Sequence, residues 1–265
     1  MVSRPASFTD VDAADAAPLI QMMAATDRWD AVRAAREWVL DRAVTGPEAP
    51  VLDVGCGPGT FGARARRAGH RTIDVDRAAA MVGAARSGDP GAPGLVADTL
   101  ALPFPDGVAG TVHCERVLQW TADPDVAVAE LWRVTAPGGL LAVTDTDWAT
   151  FAVDAPEGWV DDVLADAALG WVPHPRLAGT LVDRLTALGA SAVEERRDHV
   201  LISAWDPDDP AQADGPPGLP LHSIAAGAGG VGRPRALAAL DVLAAAARRG
   251  RFAARLTIVT AVARR

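Results

Sequence analysis

The strongest constraint on the fold lies in ten residues, Val51-Leu52-Asp53-Val54-Gly55-Cys56-Gly57-Pro58-Gly59-Thr60. A short apolar run carries an acid near its end, and three glycines follow at alternate positions. Residues 50–54 read as a strand buried on both faces, because the inner strands of a parallel sheet are continuously rather than alternately apolar. Thr60 opens a helix. The glycines between allow positive φ and let another group approach bare backbone. The helix then presents unpaired N–H groups and the positive end of its dipole at the same place. Strand, glycine turn and helix in that order make a nucleotide cradle in a doubly wound α/β sheet. The spacing leaves the nucleotide open, since Gly57-x-Gly59-x-x-Gly62 also fits a dinucleotide fingerprint, with an acid about 20 residues further on for a ribose hydroxyl.

The rest of the composition excludes more than it selects. A chain of 265 residues suffices for one domain with additions. Its net charge of −9, with no basic run longer than a pair, disfavours nucleic acid as a partner. No apolar stretch approaches the roughly 18 residues of a membrane span, and no basic-then-apolar signal opens the chain. The only cysteines are Cys56 and Cys114. They suit a reducing, cytoplasmic setting without disulfides. Lysine, tyrosine and asparagine are absent, which removes Schiff-base chemistry and any lysine or tyrosine base. The five histidines are scattered, and no close-spaced pair of ligands suggests a metal.

Three further segments carry a family resemblance. Asp53-x-Gly55-x-Gly57-x-Gly59 resembles the first motif of class I S-adenosylmethionine-dependent methyltransferases. Asp76 closes the second strand, with Met81 five residues later, as do that family's ribose-binding acid and the residue beside adenine. Asp98-Thr99-Leu100-Ala101-Leu102-Pro103-Phe104-Pro105-Asp106-Gly107 resembles the segment whose acid accepts from the adenine amino group. Hydride-transferring dinucleotide enzymes have no comparable segment, so the resemblance favours S-adenosylmethionine. It covers residues 51–147, and residues 117–145 are similar to ubiquinone/menaquinone-type and natural-product methyltransferases.

The resemblance implies a Rossmann-like sheet of seven strands in the order 3-2-1-4-5-7-6, the seventh antiparallel. It implies cofactor contacts from Asp53, Gly55, Cys56, Gly57, Gly59, Asp76, Arg77, Met81, Asp98, Thr99, Leu100 and Glu115, with S-adenosylhomocysteine as the product. The implied reaction is methylation of a small, apolar or aromatic metabolite at O, N or C. Two alternatives stay open: a non-methylating step such as cyclisation on the same fold, or a protein methyltransferase. Trp120 departs from the family, standing where many relatives have a histidine, so a base is not expected there.

Outside residues 51–147 the chain is read from pattern alone. Residues 1–8 are expected to be disordered. Residues 9–26 and 28–45 read as two helices, making residues 1–45 a helical cap on a methyltransferase domain of residues 46–265. On the second helix Trp29, Val32, Arg36, Val39 and Ala43 share a face, and Arg28 or Arg33 could reach the cofactor's carboxylate. The fifth strand is expected over residues 140–146. Residues 148–175, rich in tryptophan, and 205–234, rich in Pro, Gly and Asp, are expected as lids. Acceptor binding then falls to Trp29, Gln119, Trp148, Trp171, His174 and His222. The candidate bases are His174, His222 and Glu115, with Asp147 comparable. His70, His113 and His199 are expected to be structural.

Overall fold

The computed structural model describes residues 8–13, 15–46, 49–228 and 232–265. Two helices, α1 (Ala17–Thr26) and α2 (Asp30–Leu40), precede an alternation of β1 (Val51–Val54), α3 (Thr60–Arg67), β2 (Thr72–Asp76), α4 (Ala79–Gly88) and β3 (Gly94–Val96). Then come β4 (Ala109–Glu115), α5 (Pro124–Val134), β5 (Thr135–Asp154), α6 (Gly158–Leu169) and α7 (Leu181–Ala187). The chain continues through β6 (Ala192–Ile202), α8 (Leu221–Gly227), α9 (Gly232–Ala247) and β7 (Ala253–Arg264). The strands form one sheet in the order β3-β2-β1-β4-β5-β7-β6. All neighbours run parallel except β7, which is antiparallel to both β5 and β6. This is the class I topology that the motifs imply.

Local chemistry explains the main boundaries. β1 is buried along its whole length, as a central parallel strand must be. The α5 helix begins at Pro124 behind Asp123, whose carboxylate accepts from the amides of Asp125 and Val126. By contrast α4 follows Ala78, which has no capping side chain. Asp12 supplies the cap from the N-terminal segment, accepting from Ala79 and Ala80 N–H at 2.8 and 3.0 Å. The α2 helix is a layer of the domain: Val39 packs with Val51, Phe61, Leu140 and Val262. The α1 helix packs Leu19 with Val11, Ala78 and Met81.

Several segments differ from expectation. Residues 1–7 lie outside the described residues, whereas Phe8 is placed, with its ring centroid 5.1 Å from that of Trp120. The first helix starts at Ala17 rather than residue 9. β5 continues to Asp154 instead of ending at residue 146, with an irregularity between Asp147 and Ala152. The cause is a renewed period of two, Phe151 and Val153 buried and Asp154 exposed, against the long partner β7. Residues 148–175 are therefore partly sheet and partly α6. The second expected lid contains α8, whose Leu221, Ile224 and Ala225 share a buried face. Prolines and glycines on either side hide that helical spacing in the sequence. Among the described residues, no helix is long and apolar enough to cross a membrane.

Candidate active site

A cavity of about 270 Å³ opens at the C-terminal ends of the central strands, where a doubly wound sheet normally takes its ligand. Gly55, Cys56 and Gly57 form part of its wall. Asp53, just below, holds the turn through Gly62 N–H at 3.2 Å and takes the His113 ring at 2.8 Å with its other oxygen. Gly59 does not line the cavity. It begins α3 at φ 79°, and a Cβ there would lie 2.6 Å from the Ala85 Cβ of α4. Gly57, at φ 53°, faces the end of Met23 from α1, which a Cβ would meet at 2.2 Å. The bare backbone of the turn is thus closely approached by the cap.

Asp76, Arg77, Met81, Asp98, Thr99 and Leu100 gather along the wall with the turn. Both oxygens of Asp76 accept backbone N–H groups, from Gly57 and Ala78 at 2.9 Å. Burial pushes its carboxyl above the ordinary range. A carboxylate has about four lone-pair sites, so acceptor capacity for two hydroxyls remains. Asp98 accepts from Leu100 N–H at 2.9 Å. Arg77 is spent on the N-terminal segment, reaching the carbonyls of Phe8 and Thr9. Burial, then Asp53 and Asp76, push the Cys56 thiol far up, so it is no nucleophile.

Glu115 lies at the end of β4 in a buried charge network. Arg36 forks onto it with two bonds of 2.8 Å, Arg116 adds two of 2.9 and 3.2 Å, and Asp27 takes Arg36 at 2.7 Å. Burial opposes the charge of Glu115, but Arg36 and Arg116 outweigh it and hold the carboxyl below the usual carboxylate range. Glu115 therefore lines the cavity but is no base: its protonation would break the network. Of Arg28, Arg33 and Arg36, only Arg36, on the buried face of α2, lines the cavity. Arg28 is exposed, and the half-exposed Arg33 pairs with Asp30.

The other expected bases are also corrected. His222 is exposed in the first turn of α8 and is not part of the cavity wall. His174 Nε2 is 2.9 Å from the Thr121 carbonyl, and its backbone N–H donates to Gln119 O at 3.2 Å. It packs behind the turn of Leu118–Trp120, outside the cavity. Neither histidine is placed to touch an acceptor. Asp147 does not line the cavity either.

The rest of the cavity wall is aromatic. Trp29, Gln119, Trp148 and Trp171 line it as expected positions, joined by Phe8 and Trp120. Trp120 meets the edge of Trp171 with centroids 5.9 Å apart. Gln119 fixes Trp148 by accepting from its Nε1 at 2.8 Å. The amide of Gln119 is itself held by buried Asp145 at 3.2 Å, whose carboxyl burial pushes up to about 7. Trp29 donates to Pro217 O at 3.3 Å, whereas Trp159 is held by Glu157 outside the cavity. Pattern reading missed Phe8, Arg36 as a site residue, Arg116 and His113. His113 carried a usable signal, since it stands two residues before Glu115 and thus on the same strand face. Arg116 carried none: it holds φ 58°, a strained value for a residue with a Cβ.

The wall fits an adenosyl cofactor with an amino-acid arm. Asp76 offers acceptors for a diol, and Asp98 and Leu100 an edge for a base. Beside Gly55, the buried His113 ring has one unpartnered nitrogen. Among the described residues, no cluster of three potential metal ligands occurs.

Comparison with known proteins agrees with this geometry. The family described as "Methyltransferase domain" matches residues 52–143, from β1 into β5. The malonyl-[acyl-carrier protein] O-methyltransferase of Serratia marcescens is 37% identical over 95 residues, 36% of this chain and 37% of that enzyme. The demethylmenaquinone methyltransferase of Streptomyces avermitilis is 29% identical over 171 residues, 57% of this chain and 71% of that one. The first relatives found are matched over well under two thirds of their own length, 39% and 37%. The crystal structure of the YcgJ protein of Bacillus subtilis superposes with a TM-score of 0.58 at 21% identity, covering 88% of this chain and 99% of that one. That likeness shows a shared fold. Residues 52–143 thus carry a methyltransferase domain, and the sheet order around them and the cradle at the strand ends are those that the resemblance to class I S-adenosylmethionine-dependent methyltransferases implies.

Proposed function

We propose that this protein methylates a small apolar or aromatic metabolite from S-adenosylmethionine. The observation that carries this reading is the aromatic wall of Trp29, Trp120, Trp148 and Trp171, which continues directly into the cofactor cradle. S-adenosylmethionine, when bound, supplies a methyl group on a sulfonium, with the thioether as leaving group. The chain's own task is to align the acceptor and exclude water. Flat aromatic walls suit a planar or apolar acceptor, and their faces favour a neighbouring positive charge.

The acceptor brings its own nucleophile. Among the described residues, the carboxylates and cations along the cavity are committed to partners, as with Asp27, Arg36 and Glu115. The histidines of the two outer segments face elsewhere. A phenolate, enolate or carboxylate oxygen, or a neutral amine, meets this requirement without a base from the protein. Methylation of a carboxylate is the reaction that the malonyl-carrier relative is named for.

Incubation of the pure protein with methyl-labelled S-adenosylmethionine and size-fractionated cytoplasmic extract tests the reading. Label in a small-molecule fraction, with one S-adenosylhomocysteine released per methyl, is expected. Label in protein would favour a protein methyltransferase. Conversion of a metabolite without S-adenosylhomocysteine would overturn methyl transfer in favour of a rearrangement.

A further inference from the structure

Among the described residues, one buried side-chain polar atom lacks a hydrogen-bond partner, Nε2 of His113. The residue is 1% exposed. An unpaired group in such a place is costly, and native proteins keep few of them. Three contacts fix the ring. The register of β1 and β4 sets His113 beside Asp53, and Nδ1 lies 2.8 Å from Asp53 Oδ1. Phe61 of α3 stacks on the imidazole, centroids 3.5 Å apart and planes 14° from parallel. Glu115, one step nearer the strand end on the same face, has Oε2 3.8 Å from Nε2, too far for a hydrogen bond.

Asp53, Phe61, His113 and Glu115 all border the cavity on the side of Gly55. In the neutral ring, contact with an acceptor-only carboxylate places the proton on Nδ1 and leaves a lone pair at Nε2. A lone pair and a carboxylate oxygen therefore stand 3.8 Å apart with no donor between them. An ammonium group has the complementary chemistry, with three donors and a positive charge.

We propose that His113 is a cofactor contact: its Nε2, with Glu115, accepts from the ammonium of the cofactor's methionine arm. The proposal rests on the cofactor reading above. Acceptors 3.8 Å apart let one nitrogen stand about 2.8 Å from both, while Arg36 holds Glu115 from the other side. Asp53 then has two tasks, setting the glycine turn through Gly62 and setting the tautomer and angle of His113.

Two ligands separate this contact from a merely structural role. S-adenosylhomocysteine carries the amino-acid arm, and 5′-methylthioadenosine has the same adenosine and thioether without it. Calorimetric titration of the wild-type protein, His113→Gln and His113→Phe should show S-adenosylhomocysteine weakened about tenfold in both variants. The affinity for 5′-methylthioadenosine should stay within about twofold. Equal losses for the two ligands, or no loss for either, overturn the proposal. Because a variant could fail to fold, the wild-type protein labelled with ¹⁵N-histidine provides a second readout. The Nε2 resonance of His113 should move with S-adenosylhomocysteine and stay with 5′-methylthioadenosine; no movement with the former overturns the contact. Binding of neither ligand to the wild-type protein overturns the cofactor reading itself.

Discussion

The two halves of the cavity are built in opposite ways. The cofactor half comes from strand ends and the turns directly after them: Asp53 to Gly57, Asp76 to Met81, Asp98 to Leu100, and Glu115. Its polar groups are tied to backbone N–H groups or to arginines, and little in it can rearrange cheaply. The half that we propose takes the acceptor is gathered from Phe8, Trp29, Trp120, Trp148, Trp171 and Pro220, which are spread over most of the chain. It is held by ring contacts and a few indole hydrogen bonds. The difference shows how a fold can keep one reaction while changing its acceptor: the first half resists substitution, and the second tolerates repacking.

Breaking the first half should have the largest effect. Arg36→Met leaves Glu115 and Asp27 buried beside one remaining arginine, and urea unfolding should show a loss of about 3–5 kcal/mol. A loss below about 1 kcal/mol would mean that the network does not lock α2 to the strand ends. Asp76→Ala removes the acceptor of Gly57 and Ala78 N–H. It should weaken S-adenosylhomocysteine by roughly 30- to 100-fold in calorimetry.

Asp145, behind the acceptor half, gives a pH-dependent effect. Its carboxyl sits at about 7 in the folded protein against an ordinary 3.8, so the folded state binds the extra proton between those values. Its contribution is fully present below about pH 4 and is lost as the pH rises through about 7. Stability should fall across that window by on the order of 4 kcal/mol, and Asp145→Asn should flatten the slope. An unchanged slope in the variant would show that another group carries it.

The last two substitutions sharpen the contrast between the halves. Trp120→Ala should lower kcat/KM for the acceptor about tenfold and leave the affinity for S-adenosylhomocysteine within about twofold. A matching loss in cofactor affinity would mean that the halves are not separable. His222→Gln should change neither activity nor unfolding by more than about 0.5 kcal/mol.

The same division governs what could be read from the sequence. Asp53, Asp76 and Asp98 are legible because strand ends in a parallel sheet are marked locally, by an apolar run that stops at an acid or a glycine. The sheet order came from the family resemblance, with which the count of strands agrees. His174 and His222 misled because their segments do border the cavity, while the direction of each side chain depends on packing that short-range spacing does not encode. His174 points at the Thr121 carbonyl because its turn packs behind residues 118–120. Phe8 was illegible for a related reason: its partners, Trp120 and the Arg77 guanidinium, come from far along the chain.

Asp12 gives one of these long-range contacts a measurable consequence. The amides of Ala79 and Ala80 are capped by the N-terminal segment, the same segment that places Phe8 on Trp120 and takes Arg77. Their hydrogens are protected while that segment is seated and its carboxylate caps them. Exchange at these two positions is thus a clock for the uncovering of the cavity, readable without any knowledge of the acceptor, and a ligand trapped beneath should slow it.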